Sequence, residues 1–359
     1  MHPLAALRCS VFAVGTICLR HPEELMVFRA EAARLRRRTA PRLAAALAAA
    51  TTWTAGGAAS ALADPIADAI PIGVEASYMV FDRTTGTVRV QFDEHKQYRA
   101  ASVVKLLIAL DYLESHDPQA LSPDAVSRLQ AMLRSSDDDA ASYLWVENGW
   151  DEIVERMVAK LGLTDTMPPA DRGMWGYTAI SAADVVTIYR YILDSAGPAV
   201  RDFIMGNLHE STRCGMDGFD QSFGLARALG RPISVKQGWS GFGDAPDPDN
   251  ICAPEDPKPP IPSEAVDVAA TSPILRGRDG IGTDRGDLDP APSGAPAIDL
   301  GKRAMHTTGT VGEHDEKIVV LLTLEPTGTP WDVSSQRTTL LTKAIDIAHW
   351  SEITDLGSP

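Results

Sequence analysis

The sequence lacks an excess of basic charge. Across 359 residues, 33 Lys and Arg stand against 48 Asp and Glu, a formal net charge of -15. A chain this acidic repels phosphate backbones and anionic lipid, so neither nucleic acid nor an anionic membrane surface is an expected partner. Cysteine is sparse, with four in all. No Cys/His cluster has metal-ligand spacing, so no metal and no other cofactor is expected. No internal repeat is visible, which leaves out a repeat architecture. A strongly apolar run of membrane length is missing too. Leu43 to Ala63 is uncharged and long enough to span, but alanine, glycine and threonine leave it weakly apolar.

That same run reads as part of an export signal over residues 26–63. Arg29, Arg34, Arg36, Arg37, Arg38 and Arg42 form a basic start, and Ala61-Leu62-Ala63 before Asp64 is a small-residue cleavage pattern. Met26 is the expected start of this leader, because residues 1–25 look unlike a natural extension of it. The adjacent arginines have the look of a twin-arginine signal, without its usual hydrophobic follow-up. Residues 1–63 are therefore set aside as an N-terminal extension and signal peptide. The mature protein is expected outside the cytoplasm, with no stable membrane span after cleavage. Cys9 and Cys18 fall in the discarded part. Cys214 and Cys252 remain, an even number in an oxidising compartment, which points to one disulfide.

With 44% hydrophobic residues, the remainder can bury one large core or two smaller ones. Ala76 to Asp82 and Thr87 to Phe92 read as a hairpin around the turn Arg83-Thr84-Thr85-Gly86. Ser102 to about Glu114 is apolar on nearly every side, which predicts a buried central helix. Ala125 to Leu133, Asp138 to Val146, Trp150 to Leu161 and Ser181 to Leu193 repeat with helical period. Residues 164–178 are rich in Pro, Gly and Asp and read as a loop. Strand patterns return at Pro232 to Trp239, Met305 to Val311 and Lys317 to Leu324, and Thr338 to His349 reads as a closing helix. Residues 244–300 hold 11 of the 25 prolines and many acids. That composition buries little apolar surface, so it reads as a flexible, disordered insertion. The expected fold is α+β: an antiparallel sheet of N- and C-terminal strands, flanked by helices, with a helical subdomain at about residues 116–200 inserted. The cleft between the parts is the expected site.

Three segments carry chemistry. Ser102-Val103-Val104-Lys105 places a hydroxyl and an amine three positions apart, on one helix face. A neutral amine there can take the serine's proton. Ser135-Ser136-Asp137-Asp138-Asp139-Ala140-Ala141 opens a helix. Val235-Lys236-Gln237-Gly238-Trp239 lies on a strand. Each has a plainer reading alone: a solvent-reaching lysine, an acidic helix cap, an edge-strand lysine.

Together and in this order, the three resemble the Ser-x-x-Lys, Ser-Asp-Asn and Lys-Thr-Gly motifs of the serine β-lactamase and penicillin-binding protein superfamily, its class A β-lactamase branch above all. The resemblance covers roughly residues 72–350 apart from the insertion, and makes residues 64–359 a β-lactamase-like serine hydrolase domain. It implies that Ser102 is acylated, Lys105 activates it, Ser136 relays a proton to the leaving nitrogen, and Lys236 attracts a substrate carboxylate. It places Asp138, Gln237, Gly238 and Trp239 along the substrate, with the Ser102 and Trp239 N–H groups as oxyanion hole. The small molecules implied are β-lactams or D-alanyl cell-wall peptides. Three departures stand out. Asp138 replaces an asparagine, and a carboxylate does not donate as an amide does. Gln237 replaces a threonine. No Glu-x-x-x-Asn occupies 164–178, which leaves Asp171 as the one candidate deacylation base. A non-catalytic peptide-binding relative, or a slow-deacylating D,D-peptidase-like acyltransferase, are the alternatives.

Overall fold

A computed structural model describes residues 8–12, 15–19, 66–253 and 298–354. The expected leader at 26–63 and the stretch 254–297 of the proline-rich insertion lie outside the described residues. Strands β1 (Arg8–Phe12) and β2 (Gly15–Leu19) pair antiparallel, Arg8 opposite Leu19. They belong to a compact unit of their own, and the chain from Ala61 onward forms a second.

Alternation builds the sheet of the second unit. In β3 (Glu75–Asp82), Ala76, Tyr78 and Val80 join one core, while Met79 and Phe81 join another. Gly86, at φ 70°, makes the turn into β4 (Thr87–Phe92). Two residues, Tyr98–Arg99, form β5, and a 3-10 turn over Ala101–Val104 leads into α1 (Lys105–Ser115). Every α1 side chain from Lys105 to Leu113 is buried, as a helix apolar all round requires.

The helical part follows. Ser122 caps α2 (Pro123–Arg134), accepting from the Ala125 N–H at 3.2 Å, with proline in the first turn. Then come α3 (Asp138–Glu147) and α4 (Glu152–Leu161), the latter closed by Gly162 in the left-handed region. Strand β6 (Ala179–Ile180) pairs with β5 and precedes α5 (Ala182–Asp194) and α6 (Pro198–His209). Short α7 (Leu225–Ala228) leads to β7 (Ile233–Ser240), β8 (Arg303–Val311), β9 (Lys317–Glu325) and α8 (Trp331–Thr354).

The five long strands run β4-β3-β9-β8-β7, antiparallel throughout. Strands from both ends of the unit share one sheet, as the sequence implies. Helices α1 to α6 cover one face around Leu106, Ile108, Trp145 and Tyr189. Leu340, Leu341 and Ile345 of α8 cover the other. Strands β4 and β7 are the edges, and β7 lies beside the Ser102 turn.

Three expectations are corrected. The central helix begins with 3-10 geometry, so α-helix starts at Lys105 and not at Ser102. The helical part extends to His209, because α6 was not foreseen. Its Gly206 and buried Asn207 interrupt the apolar period, and Asn207 instead accepts from Arg134 at 2.6 Å. Helix α8 begins at Trp331, where the early turns carry Asp332, Ser334 and Ser335 and show no apolar period.

Candidate active site

The Ser102 turn, the start of α3 and edge strand β7 bring four polar side chains together. The Lys105 Nζ donates to Ser102 Oγ at 2.9 Å, to Ser136 Oγ at 3.2 Å and to the Ser136 carbonyl at 2.6 Å. Lys236 Nζ donates to the same Ser136 Oγ at 2.9 Å and to the Gln237 carbonyl at 3.3 Å. All four side chains are buried. Ser136 therefore lies between two amines, and one of these also reaches Ser102.

The backbone is bent to achieve this. Ser136 sits at φ 57°, which aims both its carbonyl and its hydroxyl at Lys105. Ala101, just before Ser102, is at φ 45°. Left-handed geometry at non-glycine residues costs free energy and clusters at functional sites. Asp137 caps α3, accepting from the Ala140 N–H at 2.9 Å. The cap reading of this segment thus holds for Asp137, while its neighbours face Lys105.

Burial dominates the electrostatics. It pushes the Lys105 ammonium below the ordinary lysine range, against the pull of Asp138. Lys236 is held well below its ordinary range by burial first and by the Lys105 charge second. Both shifts raise the share of neutral amine, the form that accepts a proton.

Asp138 reaches this centre as a partner of Lys105, at 2.5 Å, with its side chain 65% exposed. Gly238 brings β7 against the nucleophile's turn. A Cβ there would meet Val103 Cγ2 at 3.0 Å, the Ala100 carbonyl at 3.1 Å and Ser102 N at 3.4 Å. The Trp239 indole turns from the serines and donates to Asp217 at 2.8 Å, packed with Phe219, Phe223 and Trp331.

Two expected site residues fall elsewhere. Gln237 is buried, and its amide donates to the Gln221 and Phe223 carbonyls at 3.2 and 2.7 Å. Period-two alternation turns it from the face that Lys236 occupies. Asp171 is exposed and accepts from the Gly173 N–H at 2.9 Å, closing a local turn. The loop instead lays Trp175 over the amine, with Lys105 Nζ 4.9 Å from the ring centre. The indole N–H is held by Ser142 Oγ at 3.1 Å.

Sequence reading missed Asp217. Its carboxyl is half-buried, which pushes it above the usual carboxylate range, and it feels both Asp138 and Lys105. Its only sequence signal is its place between Gly215 and Gly218. Cys214 and Cys252 are disulfide-bonded, which ties this loop to the start of the insertion. His306 on β8 is buried and held down to about 4 by that burial, so it is neutral. It donates from Nε2 to the Arg99 carbonyl and accepts the Thr323 N–H at Nδ1. Among the described residues no group of three or more His, Cys, Asp or Glu could hold a metal ion.

No family model matches the chain. Proteins carrying the lipoprotein name LppW, from Mycobacterium tuberculosis and Mycobacterium bovis, are 38% identical over 178 residues. The match covers 48% of this chain, and the chain spans about half, 56%, of the length of those relatives. The solved structure of PBP-A superposes with a TM-score of 0.52 at 12% identity, covering 81% of this chain and 97% of that one. A β-lactamase from Chitinophaga pinensis gives 0.51 at 13%, covering 79% and 96%. TLA-1 extended-spectrum β-lactamase gives 0.51 at 13%, covering 76% and 92%. The chain has the α+β fold of the serine β-lactamase and penicillin-binding protein superfamily.

Proposed function

We propose that this protein is an extracytoplasmic serine hydrolase that forms an acyl-enzyme on Ser102 with β-lactams or D-alanyl peptides. One observation carries the reading: a fully buried Lys105 amine within hydrogen-bond reach of both Ser102 and Ser136. A buried amine with a lowered proton affinity beside a hydroxyl is the arrangement an activated serine needs.

The step follows from the contacts. Ser102 Oγ bonds to the acyl carbon, and its proton passes to Lys105 Nζ. In this reading the carbonyl oxygen takes up charge against the Ser102 and Trp239 N–H groups, from the turn and the strand that approach each other at Gly238. As the carbon–nitrogen bond breaks, the leaving nitrogen takes the Ser136 hydroxyl proton. Ser136 regains one from Lys105, and Lys236 steadies it and attracts the donor's carboxylate. On the same reading, residues 64–359 form the hydrolase domain, and the leader at 26–63 carries it out of the cytoplasm. The lipoprotein name of the mycobacterial relatives supports that location, and among the described residues no helix is long and apolar enough to cross a membrane.

The test is intact-protein mass after incubation with benzylpenicillin. One adduct per chain is expected, mapped to Ser102 and absent in Ser102→Ala. No adduct on a folded protein would contradict the reading. It would favour a non-catalytic binder, the alternative that Gln237 supports by spending its amide on main-chain carbonyls.

A further inference from the structure

We infer that Asp138 is the general base for the second half of the reaction, the hydrolysis of the acyl group from Ser102. The inference rests on the acylation proposed above and says how turnover is completed.

A deacylating site needs a carboxylate or similar base within one water of the acyl carbon. The loop 164–178 does not supply it. Asp171 is exposed and closes its own turn, and the loop presents an indole to Lys105. Asp217 stands nearer, but both its oxygens are occupied, by the Trp239 indole and by the Phe219 N–H. Asp138 differs in both respects. One oxygen accepts from Lys105 Nζ at 2.5 Å, and that nitrogen is 2.9 Å from Ser102 Oγ. Asp138 and the reacting oxygen are therefore no more than about 5–6 Å apart, two hydrogen-bond lengths. A single water fills such a span. The carboxylate is 65% exposed, so water reaches it from the open cleft while Lys105 fixes its position from below.

The chemistry balances through groups already in contact. Asp138 takes a proton from the water, whose oxygen bonds to the acyl carbon. Lys105, neutral after acylation, takes the proton held by Asp138 across their hydrogen bond, and as the bond from that carbon to Ser102 Oγ breaks, the ammonium passes one proton to Ser102. A free carboxylic acid leaves, and the resting site returns. On this view the aspartate standing for an asparagine does more than fill a substrate contact: it supplies the base that the loop lacks.

The experiment separates the two half-reactions by quenched-flow intact mass with a chromogenic cephalosporin, using the wild type, Asp138→Asn and Asp138→Glu. The expected result is that Asp138→Asn still acquires the Ser102 adduct but loses it at least about 100-fold more slowly. Asp138→Glu should recover part of that loss. Hydroxylamine attacks an ester without needing a general base, so it should release the stalled Asp138→Asn adduct at a rate close to that for the wild-type adduct. A loss that hydroxylamine does not relieve would show a distorted or blocked site and would overturn the inference. If Asp138→Asn sheds the adduct as fast as wild type, or if wild type never sheds it, the inference is overturned while the acylation reading stands. If Ser102 is never acylated in any variant, both fall.

Discussion

In the proposed acylation, single atoms decide whether Ser102 is usable. Gly238 is the clearest case. The hydrogen on its Cα faces Val103 and the Ala100 carbonyl, and a methyl there meets the Val103 side chain at 3.0 Å and the Ala100 carbonyl at 3.1 Å. To fit it, β7 and the Ser102 turn must part by a few tenths of an ångström. We expect Gly238→Ala to slow Ser102 acylation by about 100-fold, the scale of losing one oxyanion donor. The stability loss should be only about 1–3 kcal/mol, as for other overpacking. Stopped-flow acylation beside urea unfolding measures the two. Full-rate acylation in a folded Gly238→Ala would show that the close approach is not needed. At this scale the sequence was partly legible. Spacing paired Ser102 with Lys105, and the resemblance to the superfamily's three motifs pointed to Ser136 and Lys236. They did not reveal that Gln237 turns to the Gln221 and Phe223 carbonyls, since that depends on a loop 14 to 16 residues away.

Elements set the positions that these atoms hold. The loop between α6 and α7 carries Asp217, which grips the Trp239 indole on the edge strand. The Cys214–Cys252 disulfide closes a 38-residue separation across this loop and β7. Closing a loop of that length stabilises the fold by about 4 kcal/mol in the chain-entropy account. Cys214→Ser/Cys252→Ser should lower the unfolding free energy by a few kcal/mol, read from urea titrations without reductant. A midpoint unchanged from the oxidised wild type would contradict this. The long elements were legible in the sequence because their periods are strong: β3, β9 and α1 each declare a buried face. Helix α6 was not, because Gly206 and Asn207 break its stripe and Asn207 serves Arg134 instead. Two-residue strands such as β5 and β6 carry no period at all, yet Arg99 on β5 donates to the Ser240 and Asp299 carbonyls on both sides of the insertion.

At the scale of the whole molecule, one sheet assembled from both ends of the unit carries the outcome. Its edge meets the start of the central helix, and the helical part closes over the other side. That arrangement was legible from element order, two strands, a helical block, then three strands and a helix. It places Lys105 deep under α3 and the Trp175 loop, and this depth lowers the amine's proton affinity. In the proposed acylation the neutral amine is the active form, so the rate should rise with pH as Lys105 loses its proton. The inflection should fall below 10.5, the ordinary lysine value. The most direct test is therefore the second-order rate constant for Ser102 acylation across pH, in wild type and in Lys105→Ala. The account predicts a sigmoidal rise in wild type with that lowered inflection, and a rate in Lys105→Ala lower by about 100- to 10,000-fold. A Lys105→Ala protein that acylates Ser102 within tenfold of wild type, on the same pH curve, would contradict it.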